Sequence, residues 1–401
     1  MVADPFQCPP LSRCERDRLM EKAHTACKLT VRNACAFAAR YTLDSELHND
    51  RTGRHATIHK GVDVDGDVPE AAMCARTHVR ASLEEVANFF VLDTPAKCDA
   101  YSRVTGHLVQ DKQSLYTLVA REAGLHFIGV NWMVAKTPIG LKARDFCYLE
   151  VHDEFTFIDR ATQRVRRGWV RCMHSIPLPC CPSLEKSHGY VRSQFVRSGH
   201  IVLETARPGV LEYFNLLCGV TRRLGFTPVL AQDFVLRRHV SQILNLEEHF
   251  ITQRLKTLLE TPTTSFPNKD TIEYCSVCYH KFAWLSVKRQ CRGCGDVLCT
   301  RCCAKWDVPL SETVISMMAC QRCTRDGHSR DSSLPVSPVH SRFRLDAEDD
   351  EVEPRGPSDS DDALSPLGLH HMTFKGEEDD LALAAVSPFE WTLPSPQLLH
   401  L

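Results

Sequence analysis

The pattern of apolar and polar residues divides the chain into regions of different predicted secondary structure. Residues 11 to 45 place apolar side chains at helical spacing, which predicts one or two amphipathic helices. From residue 64 to 205 the pattern changes to short apolar runs between turn signals, and these runs are rich in β-branched and aromatic residues, which predicts strands. The clearest runs are Phe127 to Val134, Phe146 to Val151, Trp169 to Met173 and Tyr190 to Val196.

Two local signals refine this pattern. Ser82 is followed by Glu85 at the spacing of a capping box, which predicts a helix from Ser82 to Phe90. Ser198 and Gly199 lie between two apolar runs and predict a β-hairpin, since glycine supplies the positive φ that a tight turn requires. The predicted strands therefore form an antiparallel sheet.

A long helix and a linker follow the predicted sheet. Apolar residues recur at intervals of three and four from about Val229 to Leu259, which predicts a helix that buries one face. Residues 261 to 269 contain two prolines and few apolar side chains, so we predict a linker there. The predicted organisation is an N-terminal helical segment at 1–63, packed on a body domain at 64–260.

The end of the chain differs in composition from the rest. Residues 327 to 401 carry fifteen acidic and five basic side chains and are rich in Ser and Pro, which predicts a disordered acidic tail. Because the whole chain has a net charge of -2, the preceding part is basic. No apolar run reaches the length of about 18 residues that spans a bilayer, so any membrane contact is expected to be peripheral. We expect no nucleic-acid binding, because the basic residues are not clustered with stacking aromatic residues.

The chain contains twenty cysteines, and nine of them lie between Cys275 and Cys323. The N-terminus lacks the basic and apolar regions of a secretory signal, so we expect a reducing, cytoplasmic environment rather than disulfides. Eight of the nine form four pairs with two residues between the members: Cys275 and Cys278, Cys291 and Cys294, Cys299 and Cys302, Cys320 and Cys323.

These four pairs predict two structural zinc sites. A two-residue gap lets a tight turn place both sulfurs about 2.3 Å from one metal, and two such pairs complete a tetrahedron. The short gap between the second and third pairs favours cross-brace pairing, with Cys275, Cys278, Cys299 and Cys302 on one zinc ion and Cys291, Cys294, Cys320 and Cys323 on the other. The ninth thiol, Cys303, is predicted to be a bystander. Zinc binding then supplies the folding free energy that so small a core lacks.

The residues around these pairs carry a family resemblance. Phe282 precedes the run Cys291-Arg292-Gly293-Cys294-Gly295-Asp296-Val297-Leu298-Cys299. With the first pair, this run resembles the FYVE zinc finger, and residues 270–326 are identified as a FYVE-related finger. The resemblance implies a cross-braced fold with two zinc ions and binding to phosphatidylinositol 3-phosphate on endosomal membrane. It also implies that Lys288, Arg289 and Arg292 face the lipid phosphate, and that Trp284 and Leu285 form the membrane loop or pack internally.

The finger departs from the FYVE pattern at three places. Family members have a Trp and an Asp ahead of the first Cys, where this chain has Phe266 and Lys269. They have a basic stretch with two histidines before the third Cys, where this chain has Val287-Lys288-Arg289-Gln290, and an Arg-Val pair before the seventh, where it has Met318 and Ala319. These substitutions shift the expected role from a dedicated phosphatidylinositol 3-phosphate reader toward a weaker membrane or protein docking module.

The body resembles another family more weakly. The resemblance rests on the runs Pro138 to Phe146, Gly168 to Val170 and Tyr190 to Glu204, and on the long terminal helix. They are similar to a START-like lipid-transfer domain, which implies a helix-grip fold whose antiparallel sheet wraps the C-terminal helix, and a hydrophobic lipid ligand. The pattern alone is compatible with a packed core or with a ligand cavity.

The predicted fold class is α+β: a START-like helix-grip domain, a small cross-braced two-zinc finger and a disordered acidic tail. The predicted function is a non-enzymatic adaptor, cytoplasmic and peripheral on endosomal membrane, that binds an anionic or phosphoinositide-containing membrane, a hydrophobic lipid and protein partners. The predicted sheet has no recognisable nucleophile elbow, phosphate loop or metal motif. His249, beside Glu247 and Glu248, is expected on a solvated charged helix face.

Two alternatives remain open. One is a protein–protein interaction finger without phosphoinositide binding, which the missing histidines favour. The other is a RING-type ubiquitin ligase, which is less favoured because RING fingers usually place a histidine among the third to fifth ligands. This chain has Cys291, Cys294 and Cys299 there.

Overall fold

The first helical pattern forms a single helix, α1 (Arg13–Arg40), in the computed structural model of the chain. The structure describes residues 6–63, 65, 70–106, 109–121, 125–137, 142–159, 162–219, 229–259, 266–310, 313–326 and 372–375. Ser12 caps α1 with a capping box: its hydroxyl accepts a hydrogen bond from the Glu15 N–H, and the Glu15 carboxylate accepts one from the Ser12 N–H. None of the described helices is long and apolar enough to cross a membrane.

The predicted antiparallel sheet is confirmed. Its strands are β1 (Thr42–Asn49), β2 (Arg54–Asp63), β3 (Glu70–Val79), β4 (Val109–Val119), β5 (Phe127–Ala135), β6 (Arg144–Asp159), β7 (Arg164–Ser175), β8 (Val191–Arg192), β9 (Ser198–Glu204) and β10 (Leu211–Cys218). Their order in the sheet is β1-β2-β3-β10-β9-β7-β6-β5-β4, with antiparallel neighbours throughout, while β8 pairs parallel with β6.

Helices cover both faces of this sheet. Helix α1 packs on one face, and the other face is covered by α2 (Leu83–Phe89), α3 (Pro95–Thr105), α5 (Val229–Val240) and α6 (Asn245–Leu258). A short helix, α4 (Glu185–His188), follows β7. Strand β6 shows why its sequence is a continuous apolar run: Cys147 and Leu149 face the α1 side, while Phe146 and Tyr148 face the other helices.

Local predictions for the body have mixed outcomes. The capping box of Ser82 and Glu85 starts α2 as predicted. The predicted hairpin at Ser198 and Gly199 is wrong, because both residues begin β9 and Gly199 does not have a positive φ. A Cβ on Gly199 would overlap the Arg171 carbonyl oxygen, so glycine permits the close approach of β9 to β7. Of the predicted strand from Tyr190 to Val196, only β8 forms.

The long terminal helix contributes side chains to two hydrophobic cores, one in the body and one in the finger. Helices α5 and α6 are joined by a 3-10 turn, Ser241–Leu244, and the predicted apolar stripe is buried along them. Leu246 and Phe250 belong to the body core, whereas Ile251, Leu255 and Leu258 belong to the core of the finger. The finger therefore packs directly on the last two turns of α6.

The part of the finger that the structure describes contains four short strands and one α-helix. These are β11 (Arg289–Gln290), β12 (Val297–Leu298), β13 (Cys303–Leu310), β14 (Thr313–Cys320) and α7 (Gln321–Asp326). Within the tail, β15 (Thr373–Phe374) pairs antiparallel with β6, where Phe374 is buried against Phe155. The rest of the predicted tail and most of the predicted linker lie outside the described residues.

Candidate functional site

The first cysteine cluster joins the first and third pairs. The sulfurs of Cys275, Cys278, Cys299 and Cys302 all lie within 4.8 Å of one another. A tight turn after Cys275 closes with a hydrogen bond from the Tyr279 N–H to the Cys275 carbonyl at 2.9 Å. The Cys275 sulfur also accepts the Cys299 N–H at 3.4 Å, which suits a thiolate.

The second cluster joins the second and fourth pairs and is more deeply buried. It consists of Cys291, Cys294, Cys320 and Cys323, again with all sulfurs within 4.8 Å. Glycine is required in its turn for two reasons. A Cβ on Gly293 would lie 3.0 Å from the Cys323 sulfur, and Gly295 has a φ of 75° and packs against the ring of Phe266.

Both clusters have the dimensions of a zinc tetrahedron. Zinc–sulfur bonds of about 2.3 Å require sulfur–sulfur edges of about 3.8 Å. The measured edges are 3.7 Å for Cys278 to Cys299, 3.6 Å for Cys291 to Cys323 and 3.7 Å for Cys294 to Cys320. Two zinc ions therefore fit two cross-braced sites made by the eight predicted residues.

Cys303 lies outside both clusters. It begins β13 and pairs with Cys320 across the hairpin, where burial raises the pKa of its thiol to about 12. A thiol that resists ionisation in an apolar setting is a poor ligand, which is consistent with the bystander role.

The three basic residues predicted to meet a phosphate are tied to backbone carbonyls. The Lys288 ammonium donates a hydrogen bond to the Asp270 backbone carbonyl at 3.1 Å and lies 5.5 Å from the centroid of the Phe282 ring. Arg289 donates to the Cys303 carbonyl at 3.2 Å, and Arg292 to the Leu259 carbonyl at 2.8 Å. Their role as headgroup ligands stays a prediction.

Gln290 occupies a position where the FYVE pattern has a histidine. Its side-chain amide donates to the Pro267 carbonyl at 2.8 Å and to the Gly295 carbonyl at 3.1 Å. The residue therefore fastens the start of the finger to the turn of the second cluster.

The predicted membrane loop is exposed. Trp284 is 93% exposed and Leu285 is 74% exposed, and Val287 beside them is also exposed. The turn is closed by hydrogen bonds between Ala283 and Ser286, one from the Ser286 N–H to the Ala283 carbonyl and one from the Ala283 N–H to the Ser286 hydroxyl. The loop is thus a defined turn that presents apolar side chains to solvent, and these side chains do not pack inside the finger.

A charged cluster inside the body was not found from the sequence. Arg171 on β7 is completely buried, and its Nε donates to Glu150 at 2.7 Å. Glu150 also accepts from Asn131 at 2.7 Å and pairs with Lys112 at 3.3 Å. Burial opposes ionisation of Glu150, but the Arg171 and Lys112 charges outweigh it and hold the pKa of that carboxyl well below its ordinary value.

Two buried donor groups of Arg171 lack a hydrogen-bond acceptor in the described part of the chain. Among the described residues, its Nη1 and Nη2 atoms have no hydrogen-bond partner. The rings of Phe90 and Tyr101 lie 5.6 Å and 5.0 Å from the guanidinium carbon, and the nearby Tyr148 hydroxyl is also without a partner. A guanidinium with free Nη groups in an apolar, aromatic interior can bind a polar group of a ligand that enters there. The signal in the sequence was Arg171 in the middle of a buried apolar strand.

Other body residues have structural partners. Asp145 is buried and accepts from Arg192 at 2.8 Å and from the Trp132 indole at 3.1 Å. The prediction that His249 faces solvent is wrong: its ring packs against Phe89 and Phe250, with centroid distances of 4.9 Å and 5.7 Å. Glu247, an acidic neighbour of His249, forms an ion pair with Arg54.

The two cysteine clusters make the finger a cross-braced domain that binds two zinc ions. Residues 266–329 match the family model of the FYVE zinc finger, which covers less than a fifth of the 401 residues. The sequence has no significant match among curated proteins.

The body resembles solved lipid-transfer domains. Human StAR-related lipid transfer protein 5 is 13% identical, with a TM-score of 0.43, over 58% of this chain and 97% of that chain. Human STARD10 is 16% identical, with a TM-score of 0.33, over 58% and 83%. A STAR-related lipid transfer protein from Xanthomonas axonopodis is 12% identical, with a TM-score of 0.33, over 52% and 97%. Likeness at this level says nothing of the ligand of the body.

Proposed function

We propose that this chain is a non-enzymatic peripheral adaptor, whose finger docks on an anionic membrane and whose body holds a lipid. The exposed Trp284–Leu285 turn beside Lys288 is the observation that carries the proposal. Indole and leucine side chains partition into the membrane interface, and a neighbouring cation is attracted to anionic lipid headgroups. The two zinc sites hold this turn in place.

The finger favours anionic surfaces in general over one headgroup. Gln290 is committed to two backbone carbonyls, and Arg289 and Arg292 each donate to one. Both N–H groups of the Gln290 amide are therefore used, and the backbone contacts fix the orientation of the two guanidinium groups. We therefore expect phosphatidylinositol 3-phosphate to strengthen binding little more than the same charge of phosphatidylserine. The endosome is the expected membrane only if that preference is found.

Vesicle sedimentation tests the docking step. The zinc-loaded chain is mixed with phosphatidylcholine vesicles that carry phosphatidylserine or phosphatidylinositol 3-phosphate at matched charge. We expect Trp284→Ala with Leu285→Ala to weaken binding at least tenfold, because each buried side chain contributes about 1.5–3 kcal/mol. Val314→Ala, at an exposed apolar position on β14, is the control and should bind normally. Unchanged binding by the double variant would leave the finger as a protein-interaction module.

The body is proposed to bind a lipid whose polar group contacts Arg171. The free Nη groups and the aromatic surroundings support this role. Native mass spectrometry and lipid extraction of the purified chain should find a bound lipid. Glu150→Gln with Arg171→Met removes the buried ion pair without leaving a lone buried carboxylate and should lose the lipid, while a chain that never carries lipid would contradict the proposal.

A further inference from the structure

A groove of about 970 Å³ lies where the body meets the finger. Its walls come from the start of β2, the residues around the start of α2, the turn between β9 and β10, helix α6 and helix α7. It is separate from the zinc ligands, from the Trp284 turn and from the interior Arg171 cluster, none of which line it. Its volume is in the range of sites for small ligands, which is about 300–1,000 Å³.

The groove is strongly basic. Its basic lining residues come from both the body and the finger and are Arg54, Arg80, Arg207, Arg254 and Arg325. Glu85 is the one acidic residue among the described residues of the lining. Burial and then the nearby arginines, Arg76, Arg54 and Arg207, lower the pKa of His78 in the groove despite the opposing charge of Glu212. Even with Arg54 paired to Glu247, the lining holds more arginines than carboxylates.

Two of these arginines are available, whereas Arg54 pairs with Glu247 and Arg254 is fixed by backbone carbonyls. Within the described part of the chain, the Arg207 and Arg325 side chains are exposed and have no acidic partner within 4.0 Å. Arg254 is held rigidly, because it donates to the carbonyls of Arg80, Thr324 and Arg325 at 2.6, 3.1 and 3.3 Å. Like charges drawn together from two units repel one another unless an anion lies between them.

We propose that this groove binds a polyanion with several phosphate groups, of the size of an inositol phosphate. Planar guanidinium groups from opposite walls suit phosphate oxygens, which accept paired hydrogen bonds from arginine. The phosphates belong either to a free inositol phosphate or to the headgroup of a phosphoinositide lipid. Since Arg325 lies on the finger and Arg207 on the body, the bound anion bridges the two units.

Calorimetry with inositol hexakisphosphate and the full, zinc-loaded chain tests the site at physiological salt. We expect Arg207→Ser with Arg325→Ser to weaken binding at least tenfold. Arg13→Ser is the matched control, because Arg13 lies on α1 with its side chain 96% exposed, and it should change affinity less than twofold. An equal loss in the control and the double variant, or no binding by the unaltered chain, would overturn the proposal.

Vesicles with phosphatidylinositol 4,5-bisphosphate distinguish the two sources of phosphate. If the ligand is a lipid headgroup, the groove variant also loses vesicle binding in the Trp284→Ala, Leu285→Ala background. If the ligand is free, only binding of the soluble probe is lost. A synthetic peptide of residues 346–362, which is acidic, is the competitor. Tighter binding of this peptide than of the inositol phosphate would assign the groove to an acidic peptide and overturn the proposal.

Discussion

The Arg254 guanidinium on α6 donates a hydrogen bond at 2.6 Å to the backbone carbonyl of Arg80, at the end of β3. Its other Nη atom donates to the carbonyls of Thr324 and Arg325 in α7. One side chain therefore ties the sheet of the body to the last helix of the finger. Because the apolar stripe of α6 continues from the body core into the finger core, this tie is supported by packing.

Removal of this tie should loosen the finger. Arg254→Met keeps the apolar stem but loses three hydrogen bonds from a charged donor, and we expect it to cost about 2–3 kcal/mol of stability. Hydrogen exchange should accelerate in α7 and remain slow in the buried middle of β6. Arg237→Met, at an exposed residue of α5 that pairs with Asp44, is the control and should leave exchange in α7 unchanged. Faster exchange throughout the body would mean that Arg254 serves the body alone.

Zinc removal should unfold the finger and leave the sheet. The core of the finger consists of the ligand cysteines and a few apolar residues around Trp306, so the metal supplies most of its folding free energy. We expect two zinc ions per chain by elemental analysis. A chelator should release both ions, and Trp306 should become exposed to solvent as the core of the finger unfolds. The circular dichroism signal of the β-sheet should persist, because the zinc ligands lie outside the sheet of the body.

Two cysteine variants separate ligand from bystander. Cys294→Ala should reduce the zinc content to about one ion per chain, because it removes one of the four thiolates of the second site. Cys303→Ala, which also removes a buried thiol of the finger, should retain two. Loss of zinc from the Cys303 variant would mean that the ligand assignment is wrong.

The finger was predictable from sequence because its chemistry is local. Each pair of cysteines is two residues apart, so the spacing alone indicated which thiols a turn brings together. Phe266 and Gly295 are different: their contact depends on how the segment before the finger folds back. The tie through Arg254 was also not predictable, since nothing in the linker indicates that α6 extends into the finger core.

The body was predictable as a sheet but its interior cluster was not. Apolar runs indicate strands, yet they do not indicate the register between strands. In the observed register Arg171 lies directly opposite His152, and Glu150 lies two residues further along the same face of β6. A one-residue slip would place Arg171 on the opposite face from Glu150. Gly199 was misread for the same reason, because its close neighbour on β7 is distant in sequence.

The interior ion pair should show strong coupling. Arg171→Met alone leaves Glu150 as a buried carboxylate with only Lys112 opposite, and we expect a loss of about 3–5 kcal/mol in the free energy of unfolding. Glu150→Gln with Arg171→Met removes both charges and should recover most of that loss. Urea denaturation of the three chains measures the difference. Additive losses in the double variant would mean that the two groups do not act as a pair.

Buried histidines should make the body sensitive to acid. Burial lowers the pKa of four histidine side chains to about 4, from an ordinary value of 6.5: His152, His174, His239 and His249. Between these values the unfolded chain binds protons that the folded chain does not. Stability should therefore fall as the pH falls from 6.5 toward 4, by about 1.4 kcal/mol per pH unit for each histidine.

His249→Phe isolates one member of this group. Phenylalanine preserves the ring contacts with Phe89 and Phe250 but cannot bind a proton. We expect the free energy of unfolding of this variant to fall less steeply with pH, by a difference of about one proton, in urea titrations between pH 6.5 and 5 with zinc in excess. Zinc content is measured at each pH, and the circular dichroism signal of the β-sheet follows the body. An identical slope in the variant and the unaltered chain would show that His249 is protonated in the folded body.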